Sequence, residues 1–300
     1  MQPDNLEAPS RATLARRAQR GDLHRLRRGT YLRPHEVAET AEARHRQLVT
    51  CTVPLLAPDA VVSHLSAAVL HGLPVWGDAP LDRVQVTRPR AGRGKSRGYV
   101  HQHVARLPAD DVTEVGGIRV TTLERTVVDL ARTLAAQQAV AAGDAALRSG
   151  AQRERLRAVL EQGRGWPGIP VARRVVAFLD ARSESAGESA SRVVLHRIGL
   201  PPSDLQLVVI DEHDGEFVGR ADFGWRHHRT LGEFDGMVKY GRLLKPGQDV
   251  EGAVYAEKRR EDALRDRGWQ MVRWNAGDLQ HEQLLAVRLQ RAFARGRRSG

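Results

Sequence analysis

The residues best equipped for chemistry lie between Arg220 and Tyr240, in the stretch RADFGWRHHRTLGEFDGMVKY. Asp222 sits in one short apolar run. Glu233 and Asp235 sit in the next, Gly236 follows directly, and Lys239 completes the set. Phe223 and Trp225 precede a basic turn, Arg226 to Arg229, and Leu231 and Phe234 flank the acids. The pattern predicts two antiparallel strands joined by a hairpin, then a turn or helix from Gly236. Asp222 near the end of one strand and Glu233 or Asp235 on the next would converge on one point. Carboxylates at one point repel unless a divalent cation sits between them. A lysine beside them can position or deprotonate a water. The plainer account is a hairpin with surface charges, since Asp-Gly is a common turn dipeptide and Glu and Lys flank many strands.

Other elements must frame these groups. Upstream, ESAGESASR from Glu184 to Arg192 runs into an apolar stretch that Gly199 and Pro201 end, which predicts a helix. Glu188 precedes Arg192 by four positions, the spacing of a helical ion pair, while Glu184 helps begin the helix. Downstream, residues 242 to 252 read as a loop, Val254 to Arg267 as an amphipathic helix, and Gln270 to Trp274 as a strand with Met271 and Arg273 on one face. Leu279 to Arg297 reads as a terminal helix.

In this order the pieces resemble the PD-(D/E)xK nuclease superfamily, in its branch related to the very-short-patch-repair endonucleases. The resemblance covers roughly residues 180 to 290, and Lys239 stands where that branch usually has histidine. It implies a restriction-endonuclease-like domain that hydrolyses phosphodiester bonds. Glu188, Asp222 and Glu233 would hold Mg2+. Asp235 would assist or cap the turn, and Lys239 would orient or activate the attacking water.

The whole chain is basic: 47 lysines and arginines against 36 acids give a net charge of +11. Such a charge suits a polyanionic partner, most often DNA or RNA, although an arginine-rich surface alone names no ligand. Few aromatics and no RNP-type motif argue against RNA. The single cysteine, Cys51, excludes an intramolecular disulfide and reads as a small buried hydrophobe. With no long apolar span and no signal-like start, the expected setting is cytoplasmic, away from membranes.

At the N-terminus, Ala12 to Gln19 reads as a helix capped by Ser10 and closed by Gly21. GDLHRLRRGTYLRP then predicts two short strands around a basic turn, anchored by Leu23, Leu26 and Tyr31. Arg11, Arg16, Arg17, Arg20, Arg25, Arg27 and Arg28 cluster there, with Asp22 the one acid between Arg11 and Arg33. A basic helix followed by a basic hairpin is how a winged helix meets DNA, with helix in groove and wing on backbone. The arginines would mainly neutralise phosphates. This segment is similar to the N-terminal domain of AbiEi-type antitoxins. That resemblance implies a repressor of its own operon and a cognate toxin protein.

The middle of the chain continues the likeness in SHLSAAVLHGLP (Ser63 to Pro74) and GIRVTTLERTVVDLAR (Gly117 to Arg132). Ser63, His64, Ser66 and His71 are not a hydrolase triad, because no nucleophile-elbow pattern surrounds either serine. Residues 36 to 56 read as helix, Val61 onward as a short strand and a helix, and Leu81 to Thr87 with Tyr99 to His103 as a hairpin with a long basic tip. That tip is either a solvated loop or a second phosphate contact. Asp110 to Val120 predicts a strand pair turning at Gly116-Gly117, and Thr121 with Glu124 a capping box. Arg125 and Asp129 are spaced to pair on a helix surface. Residues 134 to 180 read as helices broken at Gly150 and at 163–170.

The expected fold is therefore multidomain α+β/α/β. A winged-helix-like segment (1–35) precedes a mixed α/β middle region (36–180) and a restriction-endonuclease-like domain (181–300). Two functions follow: a Mg2+-dependent DNA endonuclease, or a non-catalytic antitoxin-like repressor that uses the nuclease-like fold as a binding platform.

Overall fold

The computed structural model describes residues 10–89, 98–211, 213–236 and 250–297. The chain divides into two units, residues 1–130 and 131–300. In the first, helix α1 (Arg11–Gln19) opens on Ser10, whose Oγ accepts from the Thr13 amide, as a cap should. Strands β1 (His24–Arg27) and β2 (Thr30–Leu32) form an antiparallel hairpin, with Gly29 at φ +82° in the turn. Helix α2 (Ala41–Thr52) is capped by Thr40. Strand β3 (Val61–Val62) and helix α3 (His64–Leu70) follow. Strands β4 (Val84–Arg88), β5 (Val100–Val104), β6 (Val112–Val115) and β7 (Ile118–Thr121) complete a sheet ordered β5-β4-β3-β7-β6.

Leu48 and Val49 of α2, Ala67 and Leu70 of α3, and Val62, Val84, Val86 and Val120 of the sheet form the core of this unit. Leu26 packs against it and ties the β1–β2 hairpin down.

Three local expectations need correcting here. β4 and β5 are parallel, not hairpin arms, so their shared alternation reflected sheet membership and not direction. Helix α4 (Leu123–Thr133) is capped by Thr122, whose Oγ1 accepts from the Arg125 amide; the Thr121 hydroxyl bonds Thr126 instead. Arg125 and Asp129 do pair, at 2.9 Å, but both are fully buried, and Arg125 also reaches Asp111 at 3.1 Å. The sequence spacing was right, but α4 turns this pair towards the interior. The Gly116-Gly117 turn forms as expected, with φ +57° and +76°, joining antiparallel β6 and β7.

The second unit begins with helices α5 (Ala136–Arg148), α6 (Arg153–Gln162), α7 (Ile169–Phe178) and α8 (Ala186–Arg197). They break at Gly150 (φ +99°) and around Gly168. Gly168 is required: a Cβ there would lie 2.4 Å from the Arg132 carbonyl oxygen. Strands β8 (Asp204–Ile210), β9 (Phe217–Trp225) and β10 (Thr230–Phe234) are antiparallel neighbours. Helix α9 (Val250–Asp266) then crosses over to β11 (Gln270–Trp274), which lies parallel to β10. Helix α10 (Glu282–Gly296) ends the described chain. The sheet order is β11-β10-β9-β8.

Arg192 does not pair with Glu188 on its own helix. It pairs with Asp144 of α5 at 2.7 Å, with both side chains buried, and donates to the Phe178 carbonyl. Burial selected a partner on a facing helix over the i−4 neighbour. The start of α8 packs closely on β10, where a Cβ at Gly187 would fall 1.9 Å from the Phe234 ring.

Candidate functional site

The hairpin expected around the acidic motif is present. Phe223 faces Gly232, Gly224 faces Leu231, and Arg226–His228 form a short 3-10 turn between the strands. Asp222 Oδ2 accepts the Phe234 amide at 2.9 Å, so its carboxylate reaches across to the strand carrying Glu233. Asp222 and Glu233 are thus brought together.

Glu233 has firm partners. Its Oε1 takes Arg260 Nη2 at 2.6 Å, and its Oε2 takes Arg273 Nε at 2.9 Å. Arg273 also reaches Glu261 at 3.2 Å, and Arg260 Nη1 donates to the Arg220 carbonyl. Glu188 is buried and accepts from the Glu184 amide at 2.7 Å and from Gln206 Nε2 at 2.8 Å. Gln206 sits in a left-handed position, φ +53°, and so turns out of the regular β8 ladder. Glu184 forms a two-pronged pair with Arg220. Asp235 is exposed, and its amide donates to the Trp274 carbonyl. Lys239 lies outside the described residues, as does the turn expected after Gly236.

The three carboxylates proposed as metal ligands therefore have three separate sets of partners. As they stand they do not fit a resident divalent cation, because both Glu233 oxygens already face guanidinium groups. Among the described residues no three His, Cys, Asp or Glu side chains are grouped to hold a metal ion. Arg260, Arg273 and Gln206 were not foreseen as site residues. Arg273 stood on a recognised strand, but nothing in sequence says which strand it would lie beside. Arg260 is one of several charges on α9.

At the other end of the chain, Arg11, Arg16, Arg17 and Arg20 of the α1 segment and Arg25 and Arg28 of the hairpin are exposed. Arg27 differs. It is half-buried, and its Nη2 donates to the Cys51 carbonyl at 2.7 Å, which fastens the hairpin to α2. Cys51 itself is half-buried, less enclosed than its apolar run suggested.

His45, His64, Ser63 and Ser66 of the first unit are buried. His45 is buried, with Nδ1 2.8 Å from the Leu81 carbonyl and Nε2 2.8 Å from Ser66 Oγ. Ser66 Oγ also accepts the Gln85 amide, so its own proton points to Nε2. This fixes a neutral ring protonated on Nδ1, and burial pushes the His45 pKa down. His64 bonds Ser63, stacks on His103 with centroids 3.6 Å apart, and His103 stacks on His101. Ser63 is taken up by Thr87, and His71 donates to the Thr121 carbonyl. Both serine–histidine contacts are buried, closed to a substrate from solvent.

These features define a basic, mixed α/β protein with an arginine-rich helix–hairpin and a separate carboxylate–guanidinium cluster. Residues 60–176, from the approach to β3 into α7, match the sequence family described as the AbiEi antitoxin C-terminal domain. Two relatives, the uncharacterized proteins MT2308 and Rv2248 from two strains of Mycobacterium tuberculosis, are each 37% identical over 205 residues. That span is 67% of this chain and 70% of theirs. The chain belongs to one family with these two proteins. Among the described residues no helix is long and apolar enough to cross a membrane.

Proposed function

We propose that this protein is a DNA-binding, antitoxin-type repressor whose second unit is a non-catalytic binding platform. The observation that carries the reading is the AbiEi antitoxin domain at residues 60–176, preceded by an exposed arginine-rich helix and hairpin. Arg11, Arg16, Arg17, Arg20, Arg25 and Arg28 would neutralise phosphates and release counterions, giving affinity that falls steeply with salt. Arg27 supports the hairpin from beneath. A cognate toxin protein is the second expected partner.

The test is fluorescence anisotropy on a duplex from the protein's own promoter and on an unrelated duplex, over a salt series. The repressor reading expects tighter binding to the promoter. Arg16→Ala with Arg17→Ala should weaken both duplexes and flatten the log–log salt slope by about 2, since each phosphate left without its arginine takes away about 0.9. An unchanged slope and affinity would remove the helix from the interface.

A second reading, a Mg2+-dependent endonuclease, draws support from one observation. The second unit has a helix, the hairpin, a helix and a strand in the order the nuclease resemblance implies, with Asp222 and Glu233 on adjoining strands. In that reading Asp222, Glu233, Asp235 and Lys239 are the catalytic group, and Glu188, Asp222 and Glu233 are the metal ligands. Duplex cleavage in magnesium that disappears in Asp222→Ala would establish it. No cleavage by the wild type would retire it.

A further inference from the structure

We propose that Arg260 and Arg273 stand in for a divalent cation at Glu233 and keep the acidic strand pair metal-free. The inference deepens the reading of the second unit as a binding platform, and it rests on that reading. Glu233 is largely buried, its side chain 14% exposed, and each of its oxygens is held by a different guanidinium. The carboxylate on β10 is thus balanced by one arginine from α9 and one from β11, both part of the same fold.

The two arginines are themselves fixed. Arg260 donates to the Arg220 carbonyl on β9, and Arg273 is shared with Glu261 of α9. An incoming cation would compete with two intramolecular positive charges already seated at hydrogen-bond distance. It would also displace both guanidiniums from the carboxylate they now share. Arginine cannot lose its proton to relieve this. Asp222, on the adjoining strand β9, is fixed beside this cluster by the bond from the Phe234 amide to its Oδ2.

Removing the guanidiniums reverses the balance. Glu233 then lies beside the Asp222 strand without either guanidinium, and hard oxygen ligands of this kind take Mn2+ or Mg2+. The same two carboxylates would become a cation site only in the absence of the arginines that now cover them.

The experiment is calorimetric titration of Mn2+ alone into four forms of the full chain: wild type, Glu233→Gln, Arg260→Ala with Arg273→Ala, and that pair combined with Glu233→Gln. The arginine pair variant should bind Mn2+ at least tenfold more tightly than the wild type, and adding Glu233→Gln should abolish the gain. Wild type and Glu233→Gln should give the same titration. Mn2+ binding by the wild type that Glu233→Gln removes would overturn the proposal, as would a folded arginine variant that gains nothing. If the arginine variant does not fold, the comparison of wild type with Glu233→Gln decides alone. Promoter binding by the wild type, measured in parallel in EDTA, tests the repressor reading separately. Its loss would sink that reading without bearing on who occupies Glu233.

Discussion

Replacing Asp144 with alanine tests whether the second unit depends on a buried charge pair. Asp144 lies on α5 and has no exposed side-chain surface; Arg192 lies on α8 and is 9% exposed. Beyond their 2.7 Å contact, Asp144 Oδ1 accepts the Asp180 amide, and Arg192 bonds the Phe178 carbonyl and stacks on the Phe178 ring. Alanine would leave a buried guanidinium without its counter-charge and a backbone amide without its acceptor. Breaking such a pair costs about 3–5 kcal/mol, set against a typical total of about 5–15 kcal/mol. With a urea m-value near 2 kcal/mol/M, the midpoint should fall by roughly 2 M. Tryptophan fluorescence suits the assay, because Trp166, Trp225, Trp269 and Trp274 all lie in the second unit and only Trp76 in the first. Asp144→Leu with Arg192→Leu should be far milder, since an apolar pair avoids desolvating two charges. Burial already pushes the Asp144 carboxyl above its ordinary value, against the opposing pull of Arg192. Because the folded pKa is raised, the folded state binds this proton more readily than the unfolded chain, and stability falls as pH climbs from the unfolded value through the folded one. An Asp144→Ala loss below about 1 kcal/mol would refute the reasoning, because the buried guanidinium would then have found other support.

Three further outcomes are expected. His45 has a depressed pKa and a neutral ring, so the unfolded chain binds the extra proton first, and the first unit should lose stability as pH drops below about 6.5; hydrogen exchange of α2 amides should show this, and His45→Asn should flatten it. Gly187→Ala places a Cβ 1.9 Å from the Phe234 ring and should cost about 1–3 kcal/mol by denaturant melts, part of it recovered by Phe234→Ala. Arg125→Met removes the buried guanidinium that Asp111 and Asp129 share and should cost about 3–5 kcal/mol, whereas a surface pair would cost under about 1 kcal/mol.

Much of the second unit was legible because its signals are local. The Asp222–Glu233 hairpin follows from two apolar runs around a basic turn, and α8, α9 and β11 follow from periodicity and stop residues. What sequence could not supply was pairing between distant elements. Glu233 meets Arg260 and Arg273, and Arg192 meets Asp144; these partners are chosen by how helices cross the sheet and each other. Direction was hidden too: the alternation of Val84–Arg88 and Val100–Val104 is the same for parallel and antiparallel neighbours. Of the arginines expected to meet phosphates, Arg11, Arg16, Arg17 and Arg20 are exposed. Arg27 carried no mark separating a side chain that faces water from one that reaches the Cys51 carbonyl.

The parallel pairing of β10 with β11 imposes an order of assembly. Strands β8, β9 and β10 are consecutive and can zip locally, but Thr230 must wait for Gln270 and Phe234 for Trp274. Closing that span spends chain entropy before any ladder bond is gained, so it is expected late in folding. During synthesis β10 emerges as an open edge, with the hollow above Gly232 not yet filled by the Trp274 indole. A chain halted before residue 270 would present that edge to other strands. The hazard of misassociation is thus concentrated in the brief interval during which α9 is being made.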